Sequence, residues 1–152
     1  KYANFVIQIQ SENKINLNKI IHNLLLTYKI SSNDISKIKK YLIYLCDVFF
    51  ETGAEEIILP IKKNSIIKKN DDFKKKIDAF IIPKNLEIVA VHGMSSAKMG
   101  LKRTISSIFD INGKSFDFKN LYCLDSSLLP SSTIESPQAT IMAVSKSVIE
   151  QI

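Results

Sequence analysis

Between Ser31 and Pro60 the apolar residues Ile35, Ile38, Leu42, Leu45 and Phe49 recur three or four positions apart. That spacing places them on one face of an amphipathic helix. Ser31 or Ser32 stands where a hydroxyl caps the first free amides, and Asp34 falls in the first turn, where the helix dipole favours negative charge. Gly53 is positioned to end the helix in a left-handed conformation, and "EEIILP" then reads as a short strand stopped by Pro60. Upstream, "YANFVIQIQ" (residues 2–10) alternates Phe5, Ile7 and Ile9 with polar or smaller residues, the period of a strand. Residues 15–30, "INLNKIIHNLLLTYKI", mix helically spaced leucines with frequent asparagine; the second half has strand character.

Downstream the pattern shortens. Residues 61–84 are lysine-rich and predict a short amphipathic helix around "DDFKKKIDAF". "LEIVAV" reads as a strand feeding His92, and "SSIFD", "SFDF" and "LYCLD" as three short extended pieces separated by Gly113 and Asn120. "SPQATIMAVSKSVIEQI" predicts a closing helix, with Pro137 in its first turn and Ile141, Val144, Val148 and Ile152 on one face. Without an internal repeat or a low-complexity linker, the expectation is an α+β fold, a mixed or antiparallel sheet with flanking helices.

Composition narrows the class. The chain has 152 residues, 45% of them hydrophobic and 24% charged, enough to bury a core. The longest apolar run, "YLIYLCDVFF", is interrupted by Asp47 and is shorter than the roughly 20 residues of a membrane span. The first residue is Lys1 and no secretory-signal pattern follows, so the sequence is expected to be part of a longer chain. Cys46 and Cys123 match no metal or redox spacing, which fits a reducing, cytoplasmic setting and excludes a metal site built on cysteine and histidine. The net charge of +6 rests on 21 basic residues, of which Arg103 is the single arginine. The densest run, Lys62 to Lys76, also carries Asp71 and Asp72, and no aromatic residues interleave usefully for stacking. It reads as a solvated lysine face, not a nucleic-acid surface; a basic binding module is the alternative that would use it.

Two stretches carry candidate chemistry. "HGMSSAKMG" (residues 92–100) sets a histidine at the end of an apolar segment and follows it with small residues. Taken alone, His92 reads as a buried, hydrogen-bonded and inert strand-end histidine, and His22 has only lysine and asparagine as polar residues nearby. "NLYCLDSSLLPSSTIESPQATIMAV" (residues 120–144) runs from a strand into an Asp-Ser-Ser turn, a polar loop and a helix opening with Ser-Pro. Exposed amides at such an opening favour electron-rich groups.

Together, in this order and spacing, the two stretches resemble the C-terminal end of the glucose-methanol-choline (GMC) oxidoreductases. Their pattern is a histidine, a small-residue run and Met-Gly, then Asn-Leu-Tyr-Val-x-Asp-x-Ser-x-x-Pro, then Asn-Pro-x-x-Thr opening the last helix. "LCDVFFETGAEEIILP" is similar to that family's helix, Gly-Ala and strand, so the likeness extends upstream. The resemblance implies a flavoprotein that oxidises alcohols or sugars with FAD. It implies His92 as acid/base, matched to proton transfer near neutral pH. Asp125 and Ser126 fall where the family's chain returns to the pyrophosphate and ribityl region, and Pro137 and Gln138 where amides approach the flavin's pyrimidine end. Ser127 and Thr140 match family positions as well. Residues 1–84 would belong to the substrate-side sheet and residues 85–152 to the segment returning to the cofactor.

The chain departs from the pattern in three ways. Ser136 stands where histidine or asparagine is usual, as a shorter second catalytic partner that cannot serve as a base near neutral pH. "STIE" replaces small residues, bringing Glu135 into the loop. None of Gly53, Gly93, Gly100 and Gly113 lies in a Gly-x-Gly-x-x-Gly turn, so the ADP half of FAD would depend on an N-terminal region, in cis or in trans. A catalytically inactive remnant of the family is the other reading these departures leave open.

Overall fold

Helix α1 spans Ser32–Glu51, and its ends follow from local chemistry. The Ser31 hydroxyl accepts from the Asp34 amide at 2.9 Å, satisfying one of the helix's free donors. At the other end Thr52 takes the cap position and Gly53 adopts φ +100°, the left-handed turn that the sequence reserves for it. The computed structural model describes residues 3–20 and 23–152; His22 lies outside the described residues, as does Tyr2.

The elements of the N-terminal unit, Lys1–Val89, are small. Strands β1 (Asn16–Ile20) and β2 (Asn23–Thr27) pair antiparallel, Asn16 opposite Thr27. Strand character therefore extends into the first half of the ambiguous 15–30 segment. After α1, β3 (Glu56–Ile58) pairs antiparallel with β4 (Ile66–Lys68), and α2 covers Phe73–Phe80 with Asp72 as N-cap. Leu42, Cys46 and Phe50 of α1, Leu59, Ile61, Ile67, Ile77, Ile81 and Leu86 form the core. The buried stripe of α1 is rotated from the expected one: Cys46 and Phe50 are buried where Leu45 and Phe49 are half-buried. Phe50 is drawn inward by the Phe73 ring, 5.7 Å away, whereas Phe49 is covered by Phe5 at 4.3 Å. Of the lysine run, Lys76 pairs with Asp71 at 2.6 Å and Lys68 with Glu56 at 3.5 Å.

Two expected strands do not form. Residues 3–10 have no regular structure: Phe5 and Ile7 dock on α1 and its core, and side-chain docking alone supplies no ladder partner. In "LEIVAV" only Leu86 bridges, to Ile61, and Glu87 donates to the Pro60 carbonyl at 2.8 Å; Ile88, Val89 and Val91 remain exposed.

The second unit, Ala90–Ile152, contains a two-residue parallel pairing of β5 (Lys98–Met99) with β6 (Ser107–Phe109). It adds a 3-10 turn at Ser126–Leu128 and helix α3, Gln138–Ile149. "SFDF" and "LYCLD" contribute isolated bridges, Phe109 with Ser115 and Lys114 with Tyr122. The Ser115 hydroxyl accepts from the amides of Asp117 and Phe118, each at 3.2 Å, turning the chain before a strand can extend. Pro137 is the N-cap of α3 and does not enter its first turn. Val148 is buried with Phe109 and Leu128, and Val144 packs on them; Ile152 lies beyond the helix and is exposed. The whole is α+β, three helices with small antiparallel and parallel pairings.

Candidate functional site

Every predicted site residue falls in the second unit, and backbone hydrogen bonds join the two motif stretches. The Ser126 hydroxyl donates to the Gly93 carbonyl at 2.8 Å. The Ser95 amide donates to the Ser126 carbonyl at 3.1 Å and the Ala97 amide to the Ser127 carbonyl at 3.0 Å. The segment after His92 therefore runs along the Asp-Ser-Ser turn, although about thirty residues separate them in sequence. The loop between that turn and α3 meets it at Met94, whose sulfur lies 3.9 Å from the Thr133 hydroxyl. Thr133 also donates to the Glu135 carbonyl at 2.6 Å, which shapes the loop leading into Ser136.

His92 is half-buried on an extended stretch. Its imidazole has no hydrogen bond or ion pair among the described residues, so both ring nitrogens are available to an incoming group.

Asp125 caps the 3-10 turn. Its Oδ1 accepts from the Ser127 amide at 2.7 Å, from the Ser127 hydroxyl, and more weakly from the Cys123 thiol at 3.8 Å. The Ser127 hydroxyl first and the Ser127 amide second hold the carboxyl below the ordinary carboxylate range, since each bond stabilises the charged form. Asp125 is an exposed anion whose Oδ1 is taken up in shaping the turn; Ser126, next to it, carries the contacts to the His92 loop.

Ser136 and Gln138 are exposed and Pro137 is buried. Helix α3 opens without a side-chain cap, and its first amides lack intrahelical acceptors. The Ser136 hydroxyl makes no hydrogen bond among the described residues. Two features fix α3 against Gly113 and Leu124. The Ser145 hydroxyl donates to the Leu124 carbonyl, and Gly113, at φ +71°, lets Val148 approach so closely that a Cβ there would lie 2.8 Å from its Cγ2.

One residue escaped the sequence reading. Within the small-residue run after His92, Gly93 has ordinary φ and open space around it. The left-handed residue is Ser95, at φ +66°, and its Oγ is buried without a hydrogen-bond partner. Nothing in a serine within a small-residue run signals this; its nearness to His92 is the sole hint.

These features fit the flavin end of FAD in part. Ser95 presents an orphaned hydroxyl, Ser126 adjoins it, and α3 opens with free amides, whereas the described residues contain no glycine turn to cradle the ADP half. Among the described residues there is no cluster of metal-ligating side chains.

At this junction the segment after His92, the Asp125–Ser127 turn and the loop before α3 meet within the second unit. A family model described as GMC oxidoreductase matches residues 9–145. The chain belongs to the GMC oxidoreductase family, as a C-terminal portion of such an enzyme. No curated protein and no solved structure gives a significant match.

Proposed function

We propose that this chain supplies the substrate-side and flavin-facing parts of an FAD-dependent enzyme that oxidises CH–OH groups of alcohols or sugars. Residues 1–84 contribute to the substrate-side sheet, and residues 85–152 return to the cofactor. The observation that carries this reading is the mutual hydrogen bonding of the His92 loop with the Asp125–Ser127 turn. It unites in space the two stretches on which the family likeness rests.

FAD, when bound, would supply the hydride acceptor for the carbinol carbon; the other roles fall to this chain's residues. His92, with both nitrogens free, takes the hydroxyl proton as hydride leaves. Ser136 hydrogen-bonds the alcohol oxygen but does not remove its proton. Asp125 and Ser126 hold the loop against the ribityl and pyrophosphate region. Pro137 and Gln138 set the opening of α3, whose amides meet the electron-rich pyrimidine edge. The ADP half requires a nucleotide-binding region in cis or in trans. Free thiols at Cys46 and Cys123 agree with a reducing, cytoplasmic setting.

The test is the absorbance spectrum of the full-length parent protein purified under native conditions. Flavin bands that bleach with an alcohol or sugar are expected. His92→Ala should lower kcat by roughly 10²–10⁴-fold, the usual worth of a positioned acid/base, and Ser136→Asn should retain or raise it. A colourless protein that takes up no added FAD would instead establish the inactive remnant, the reading that Ser136 and the missing glycine motif favour.

A further inference from the structure

The side chain of Ser95 is more than the fold requires. Its backbone is left-handed, at φ +66°, a conformation open to glycine and unfavourable for serine. Its hydroxyl is buried without a partner, a distinction shared among the described residues only by Asp34 Oδ1. Neither feature helps to stitch the loops. That is done by the Ser95 amide, which donates to the Ser126 carbonyl at 3.1 Å, and by the Ser126 hydroxyl on the Gly93 carbonyl at 2.8 Å. Glycine at position 95 would keep both bonds, relax the backbone and remove the orphaned oxygen. A side chain that the fold would be more stable without points to a partner outside the chain.

Resting on the functional reading above, we propose that the Ser95 hydroxyl positions the cofactor by hydrogen-bonding the hydroxylated ribityl chain of FAD beside His92. Two residues separate it from His92, and its amide is bonded to the residue that follows Asp125. A serine hydroxyl both donates and accepts, which matches a polyol. Asp125 adds a reason to prefer the polyol over the pyrophosphate: it stays charged next to Ser126, and an anion there repels phosphate more than it disturbs neutral hydroxyls. Rotation about the Cα–Cβ bond presents the oxygen to a bound chain while the backbone bonds stay in place.

The experiment uses the protein that carries this chain together with its nucleotide-binding region. It is stripped of flavin and titrated with FAD by fluorescence quenching, and the flavin-free form is melted in parallel. Ser95→Gly should raise the melting temperature of the flavin-free protein and weaken FAD binding by about 3- to 10-fold, the worth of one neutral hydrogen bond. Ser95→Ala, which keeps the left-handed residue but lacks the hydroxyl, should lose the same affinity without the full thermal gain. ADP, which carries the pyrophosphate but no ribityl chain, should bind wild type and both variants alike. If wild type binds FAD and both variants bind it as tightly, the role of Ser95 falls and the functional reading stands. If ADP weakens in step with FAD, the ribityl assignment is wrong. A wild type that takes up no flavin removes the functional reading and this inference together.

Discussion

Gly113→Ala should destabilise the second unit more than any other single methyl added to its glycines, and the structure gives the terms. Gly113 has φ +71°, and an added Cβ would lie 2.8 and 3.0 Å from the two methyls of Val148 and 2.9 Å from the Cys123 carbonyl oxygen. The left-handed backbone costs an alanine about 1–2 kcal/mol, and forcing a methyl into a packed contact costs about 1–3 kcal/mol more. The sum, about 2–5 kcal/mol, would lower the urea midpoint by about 1–2 M at a common slope. The Val148 side chain is anchored in the core with Phe109 and Leu128, and the Cys123 amide is bonded to the Gly113 carbonyl at 2.9 Å, so neither neighbour moves freely. Hydrogen exchange would locate the damage in α3 and residues 107–128. Gly93→Ala is the control: with ordinary φ and nothing within 4 Å, it should change stability by less than about 0.5 kcal/mol or stabilise slightly through the unfolded chain. Equal effects at the two positions would refute the claim that α3 is held at its distance by a missing side chain.

Other consequences follow from the same contacts. Asp34→Ala should cost about 1–3 kcal/mol, because it removes the buried carboxylate that accepts from the Ser11 hydroxyl and the Glu12 amide; loss of exchange protection at Glu12 with α1 intact would be the signature. Burial pushes the Cys46 thiol from 9.0 up to about 11, so the folded form holds its proton longer than the unfolded one. Stability is therefore unaffected by this group below pH 9 and falls as pH rises from about 9 to about 11, a loss that Cys46→Ala should abolish in a pH-dependent melt. Alkylation of the native protein near pH 8 should mark half-buried Cys123 and spare Cys46, with mass spectrometry as the readout. Asp125, held below its usual 3.8 chiefly by Ser127, contributes stability above that value that disappears as pH falls through its lower folded value; Ser127→Ala should narrow this acid window in the same melt.

What could be read from sequence was what neighbours in sequence decide. Ser31, Asp34 and Gly53 set the ends of α1 within a turn of themselves, so their roles were legible residue by residue. Alternation in "YANFVIQIQ" and "LEIVAV" specified which side chains could share a face, but a strand also needs a neighbour to accept its backbone bonds, and that neighbour is a tertiary fact. The one-position rotation of the buried stripe on α1 has the same origin, since Phe5 and Phe73 come from opposite ends of the N-terminal unit to claim Phe49 and Phe50.

The site divides along the same line, with a consequence for how its chemistry is built. His92, Asp125 and Ser126 were visible because their order and spacing follow a family pattern, and the hydrogen bonds of Gly93, Ser95 and Ala97 to Ser126 and Ser127 give that pattern a physical basis. The loop after the histidine is held by the turn after Asp125, so moving either would move both. Ser95 and Ser136 obey no such constraint. Ser95 leaves the stitching to its amide, and the hydroxyl of Ser136 is held by nothing among the described residues. Neither hydroxyl has a hydrogen-bond partner among the described residues, so substituting either removes no bond of the fold, whereas breaking the Ser126 contacts would loosen both stretches at once.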